Sequence, residues 1–221
     1  MSKNRALVYK YMETNKDKSR NNNYSLRRLF MKRHLFAAFI LIFLGVSMEL
    51  TAQTENKKIL VAYFSWSGNA RTLAGQIAQV TGGDLFEIKT VTPYPGSYEE
   101  CTKTAKQEQD SNARPAISGK VANMEQYGVV FLCYPNWWGT MPMAVFTFLE
   151  AYNFSGKTIY PLVTNGGSRF GRSLDDIKKL SPRAVLGEGL DVNAFDRNPN
   201  DAPRVTAPNK DVTSWLRRIG F

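Results

Sequence analysis

The sequence has little of the side-chain chemistry that most hydrolytic and metal enzymes use. It contains one histidine, His34, within the first 52 residues. If that segment is removed, Ser–His and Cys–His catalysis and histidine-based metal sites are excluded. The only cysteines are Cys101 and Cys133, and no C-x-x-C pair marks a metal or redox-thiol site. Export would permit a disulfide between them, but two unpaired thiols, with Cys133 inside a buried strand, is the favoured reading. There is no internal repeat. Residues 35–48 are an uncharged, mostly apolar run of fourteen residues, short for a membrane span. Acidic residues are outnumbered, 19 Asp+Glu against 29 Lys+Arg, for a net charge of +10. The excess is uneven: residues 1–52 carry +7 and residues 53–221 carry +3. No basic stripe marks the larger part, so no nucleic-acid surface is expected.

What is present falls into a leader (1–52) and one domain (53–221). Residues 1–30 are polar and basic and cannot build a core. Lys32 and Arg33 then precede the apolar run 35–48, and Leu50-Thr51-Ala52 offers a cleavage site. This is the plan of a signal peptide, with cleavage after Ala52 and export, to the periplasm of a bacterium, as the expected outcome. An uncleaved membrane anchor through residues 35–48 is the alternative, and only then would the chain touch a membrane. Met31 is a candidate start, because thirty polar residues rarely precede a signal peptide.

From Gln53 onward strand and helix patterns alternate. Strands are expected at 58–64, 84–88, 127–135 and 157–164, with a short fifth at 184–192. Helices are expected at 69–81, 97–109, 141–153, 172–181 and 209–219. Continuous apolar strands separated by helices predict an α/β fold, a doubly wound parallel sheet of five strands. Such sheets bind ligands at the carboxyl ends of the strands, near the switch in strand order. Three loops lie there: "SWSGNAR", "PNWWGTMP" and "TNGGSRFG".

Each loop has a chemical logic. Small and hydroxylated residues before a helix start can wrap a phosphate with free amides and hydroxyls. Adjacent tryptophans in a turn cannot both point into a core, so at least one can face a planar ligand. Glycines before a helix can present bare amides at a ligand edge. Together they describe a site for a phosphorylated planar cofactor.

The stretches "YFSWSGNA", "PNWWGTMPMAVFTFLE" and "TNGGSRFGRSLDDIKKL" resemble the three FMN loops of flavodoxins, in particular the bacterial flavodoxin-like group with Trp-Trp-Gly after the third strand. The resemblance runs from about Lys57 to Phe221. It implies a flavodoxin-like fold of strand order 2-1-3-4-5 and non-covalent FMN. By position, Ser65, Trp66, Ser67, Gly68, Asn69 and Ala70 match the phosphate loop. Pro135, Asn136, Trp137, Trp138 and Gly139 match the loop on one face of the flavin ring, with Trp137 or Trp138 stacked on it. Asn165, Gly166, Gly167 and Ser168 match the loop at the other edge. The family motif ends S-x-S-G-N-T, and Ala70 stands in place of that threonine. One hydroxyl donor is therefore missing, with Arg71 or Thr72 as candidate replacements.

The leader implies export, and the resemblance implies an FMN-binding electron carrier that exchanges electrons with a partner protein. An FMN-dependent NAD(P)H:quinone or small-molecule reductase is the alternative. A binding module that has lost FMN is a third reading, carried only by Ala70. The near-balanced charge of 53–221 differs from the acidic surface common among flavodoxin carriers.

Overall fold

The computed structural model describes residues 57–194, 205 and 209–221. The expected signal segment, the Ala52 cleavage site and the Met31 start lie outside the described residues.

The sheet grows from sequence that is apolar on both faces. β1 (Lys58–Tyr63), β2 (Asp84–Glu87), β5 (Tyr127–Pro135) and β6 (Thr158–Asn165) run parallel in the order β2-β1-β5-β6. Two short strands, β7 (Val185–Leu186) and β8 (Leu190–Asn193), both pair parallel with β6 and form one interrupted fifth strand. Counted this way the order is 2-1-3-4-5, the flavodoxin-like arrangement.

Alternation along each strand sorts the core into two layers. Leu60, Ala62 and Phe64 of the β1 segment, with Val130, Leu132 and Tyr134 of β5, face one layer. There they meet α3 (Met143–Ala151) and Ile177 of α4 (Ser173–Leu180). Val61, Tyr63, Phe131 and Cys133 face the other layer. Against them lie α1 (Asn69–Thr81) through Ala70, Leu73, Ala74 and Ile77, and α5 (Lys210–Arg218) through Val212, Trp215 and Leu216. Each fully buried aliphatic side chain contributes roughly 1.5–3 kcal/mol of transfer free energy, so both layers are needed to hold a sheet with two apolar faces.

The remaining elements are a polar helix, α2 (Tyr98–Asp110), and a small antiparallel pair, β3 (Lys89–Thr90) with β4 (Ile117–Ser118). The pair is not legible in the sequence, where 84–88 reads as one strand. The fifth strand also differs from the single run expected at 184–192. A Cβ on Gly187 would sit 2.3 Å from the Tyr160 ring, and one on Gly189 2.6 Å from the Phe170 ring. Aromatic rings thus press against bare backbone at the interruption. From α5, the Trp215 indole N–H donates to the Glu188 carbonyl (3.0 Å) and Arg218 to the Glu188 carboxylate (2.8 Å), holding the bulge in place. Val80, which shares the helical spacing of Leu73 and Ile77, is 51% exposed rather than facing the sheet. Cys101 and Cys133 are buried and unpaired.

Candidate functional site

The parallel register brings the three loops together. Tyr63 pairs with Cys133, and Pro135 with Thr164, so β1, β5 and β6 end side by side.

The first loop leads into α1 and leaves its donors uncommitted. Gly68 is the N-cap residue at φ 92°, and no side chain caps the helix. The hydroxyl of Ser65 is buried without a hydrogen-bond partner. A buried, unpaired hydroxyl costs about 1–3 kcal/mol. Ser67 is half-buried. Asn69 does not cap the helix: it is buried, and its Oδ1 accepts from the Val205 amide (3.3 Å). Ala70 is 1% exposed in the apolar layer with Val61, Tyr63 and Leu73. Both candidate replacements for the missing threonine have partners of their own. The Thr72 hydroxyl donates to the Gly68 carbonyl (3.1 Å), and Arg71 donates to Glu87 (2.5 Å). The Glu87 bond, then one to Tyr63, raises the Arg71 pKa above its ordinary value. Trp66 turns away from the helix start and donates its indole N–H to the Pro95 carbonyl (2.9 Å).

The second loop is fully braced. Trp137 and Thr140 exchange backbone hydrogen bonds of 2.7 and 3.1 Å, closing a turn around Trp138 and Gly139. Both central residues have left-handed φ, 51° for Trp138 and 80° for Gly139, the pattern of a type I′ turn. Glycine suits that backbone, whereas a tryptophan there carries roughly 1–3 kcal/mol of strain that the surroundings must offset. They do so at several points. Asn136 accepts from the Gly139 amide (3.0 Å) and donates to the Arg169 carbonyl (2.7 Å). The Gly139 carbonyl accepts from the Arg172 amide (2.8 Å). The Trp138 indole N–H donates to the Thr102 carbonyl on α2 (3.0 Å), and Gln109 donates to the Trp138 carbonyl (3.2 Å). The buried Thr140 hydroxyl donates to Asp176 of α4 (2.7 Å).

The two tryptophans therefore part company. Trp137 is half-buried, edge-on to Phe64 (5.3 Å between centroids) and to Tyr94 (5.1 Å). Trp138 is 52% exposed and lies against α2, with Lys106 6.0 Å from its ring. Of the two, only Trp138 offers a broad open surface.

The third loop is organised by Asn165, 2% exposed, whose Oδ1 accepts from the Gly167 and Arg169 amides (2.8 and 3.1 Å). Gly166, Gly167 and Ser168 are exposed, and Gly167 adopts φ 108° with open space where a Cβ would be. This loop packs tightly on the second: a Cβ on Gly171 would fall 2.2 Å from the Gly139 carbonyl oxygen.

A fourth segment borders the site, and the sequence shows it only as a Pro/Gly turn and a polar helix. Residues 94–109 receive the indoles of both Trp66 and Trp138. Within it the Tyr94 hydroxyl donates to Glu108 (2.6 Å). Burial pushes the Glu108 carboxyl up despite that bond, and burial with the Glu108 contact pushes the Tyr94 phenol far up. Burial also raises the Cys101 thiol to about 11, so it is an inert thiol. The aromatic content of "PYPGSY" is the one signal that could have drawn this segment into the site; nothing in the sequence marks Asp176.

The Flavodoxin family model matches residues 58–200, well over half of the chain. No curated protein matches. Among solved structures, a protein provisionally described as a flavoprotein from Bacteroides eggerthii is 34% identical, with 74% of this chain and 98% of that one covered and a TM-score of 0.61. A similarly described protein from Bacteroides uniformis is 26% identical, covering 72% and 97%, with the same TM-score. A flavoprotein from Lactobacillus acidophilus, solved in complex with FMN, is 18% identical over 61% and 93%, with a TM-score of 0.54, and shares the fold. Sheet order, loop placement and these matches agree: the chain belongs to the flavodoxin family, whose cofactor is FMN.

Proposed function

We propose that this protein is an exported electron carrier that holds FMN in the three loops. The observation that carries the reading is the Ser65 hydroxyl, buried with no partner beside an uncapped helix start. A phosphate oxygen accepting from it would offset the cost of its burial, and the α1 amides and helix dipole favour the same anion. The residues fit the cofactor on this point, and open space at Gly139 and Gly167 leaves both glycines free of neighbouring side chains.

In this reading Ser65, Trp66, Ser67, Gly68, Asn69 and Ala70 shape the phosphate end. The backbone of 165–168 lines one edge of the ring. Pro135, Asn136 and Gly139 set the turn on the other side, where Trp138 supplies the open aromatic surface and Trp137 wedges the turn against Phe64 and Tyr94. When bound, FMN supplies reversible electron transfer, which needs no acid or base from the protein. The absence of histidine after residue 34 accords with that division of labour. Export rests on the leader, with its basic start, apolar run and small-residue end. The electron partner is a redox protein or a small acceptor reaching the exposed Trp138 side.

The test is the visible spectrum of the purified protein after incubation with FMN and desalting, followed by titration with NAD(P)H. A retained flavin spectrum and electron exchange only with a partner protein support the carrier. Steady NAD(P)H oxidation with a quinone makes it a reductase instead, and a colourless protein refutes both.

A further inference from the structure

We propose that Asp176 is a positioning residue for the 137–140 turn, and through it for Trp138 at the cofactor site; the second clause rests on the FMN reading. Asp176 lies in the first turn of α4 and is 9% exposed. Its Oδ2 accepts from the Thr140 hydroxyl (2.7 Å) and from Arg172 Nε (3.3 Å). Thr140 is fully buried and is the residue whose amide and carbonyl both pair with Trp137. The carboxylate therefore grips the closing residue of the turn that forces Trp138 into a left-handed backbone.

The other braces on this turn are of a different kind. Asn136 and the Arg172 amide hold Gly139, and Thr102 and Gln109 hold Trp138 from α2, which is an exposed polar helix. Among the described residues, Asp176 is the buried carboxylate that ties the turn to a helix packed in the core. A charge-assisted hydrogen bond to a buried hydroxyl is stronger and more directional than its neutral counterparts. Without it, Thr140 keeps its backbone bonds but loses the anchor that fixes their direction, and the strained turn can relax. The Trp138 ring would then leave the Thr102 carbonyl.

The experiment compares the full-length protein with Asp176→Ala, Asp176→Asn and Thr140→Val. Amide hydrogen exchange is followed by residue without FMN, together with the Trp138 indole N–H resonance, and FMN affinity is measured separately. Asp176→Ala is expected to speed exchange at Trp137 and Thr140 about tenfold relative to Val130 and Leu132 inside β5, to shift the Trp138 indole resonance, and to weaken FMN about tenfold. Asp176→Asn keeps an acceptor and should restore most of each. Thr140→Val removes the same bond and should reproduce the local effect even if Asp176→Ala does not fold. Equal acceleration in the turn and the strand, or none in the turn, overturns the proposal. If the turn loosens locally but the unaltered protein binds no FMN, the positioning of the turn stands and the FMN reading falls. If the turn loosens and FMN affinity is unchanged, the link from the turn to the cofactor is refuted.

Discussion

The first loop and the second differ in what they do with their polar groups. Around Ser65–Gly68 a hydroxyl is buried without a partner and the helix start is uncapped. Around Trp137–Thr140 the turn is held by side chains and backbone from the third loop, α2 and α4. One loop keeps donors in reserve, and the other spends them on holding a strained shape. The first has the character of a site whose ligand completes it, the second of a wall that is built before the ligand arrives. Such preorganisation suits a cofactor whose reactivity depends on the geometry around its ring.

Substitutions that break the wall should cost most. Gly171→Ala drives a Cβ into the Gly139 carbonyl at a left-handed φ of 52°, and a stability loss of about 4 kcal/mol is expected in urea denaturation. Gly167→Ala faces open space at φ 108°, so only backbone strain applies, and a loss of roughly 1–3 kcal/mol is expected in the same measurement. If the two cost the same, the second and third loops are not packed as one wall.

Trp138→Gly tests the wall from inside. It removes the left-handed strain but also the Thr102 contact, so thermal stability should change by less than about 1 kcal/mol while the turn loses its exposed aromatic surface. A large destabilisation would mean that the Trp138 contacts on α2, rather than the bracing of Thr140 and Gly139, hold the turn.

The smallest effect concerns Glu108 under Tyr94. Burial raises its pKa from 4.5, so the folded protein favours the protonated form. That stabilisation is complete below the ordinary glutamate value and is lost as pH rises through the raised value. Glu108→Gln keeps an acceptor for Tyr94 and should be neutral or stabilising at pH 7, by less than about 1 kcal/mol given partial solvent screening. It should also flatten stability against pH just above 4.5. A clear loss at pH 7 would show that the ionised carboxylate supports the Tyr94–Trp137 contact.

Much of this was legible in the chain before its fold. The apolar runs at 58–64, 127–135 and 157–164 read as strands, the first of them as one covered on both faces, and their ends pointed to the three loops. The choice between Trp137 and Trp138 could not be read there, because it depends on Phe64 and Tyr94 approaching from other elements. The fates of Arg71 and Thr72 were equally hidden, since Glu87 and the Gly68 carbonyl claim them only once β2 lies beside β1 and α1 has wound its first turn. At the interruption of the fifth strand Tyr160 and Phe170 press on two glycines, contacts between residues distant in the chain. Asp176 sits in a stretch that reads as an ordinary helix start.

The most direct measurement pairs FMN titration with apoprotein unfolding for the unaltered chain and Ser65→Ala. The unaltered protein is expected to bind FMN, and Ser65→Ala to bind it about five- to tenfold more weakly. The apoprotein variant should be as stable or up to about 1 kcal/mol more stable, because an unpartnered buried hydroxyl has been removed. Unchanged FMN affinity together with lost apoprotein stability would mean that the Ser65 hydroxyl serves the fold and not a phosphate, and would contradict the account.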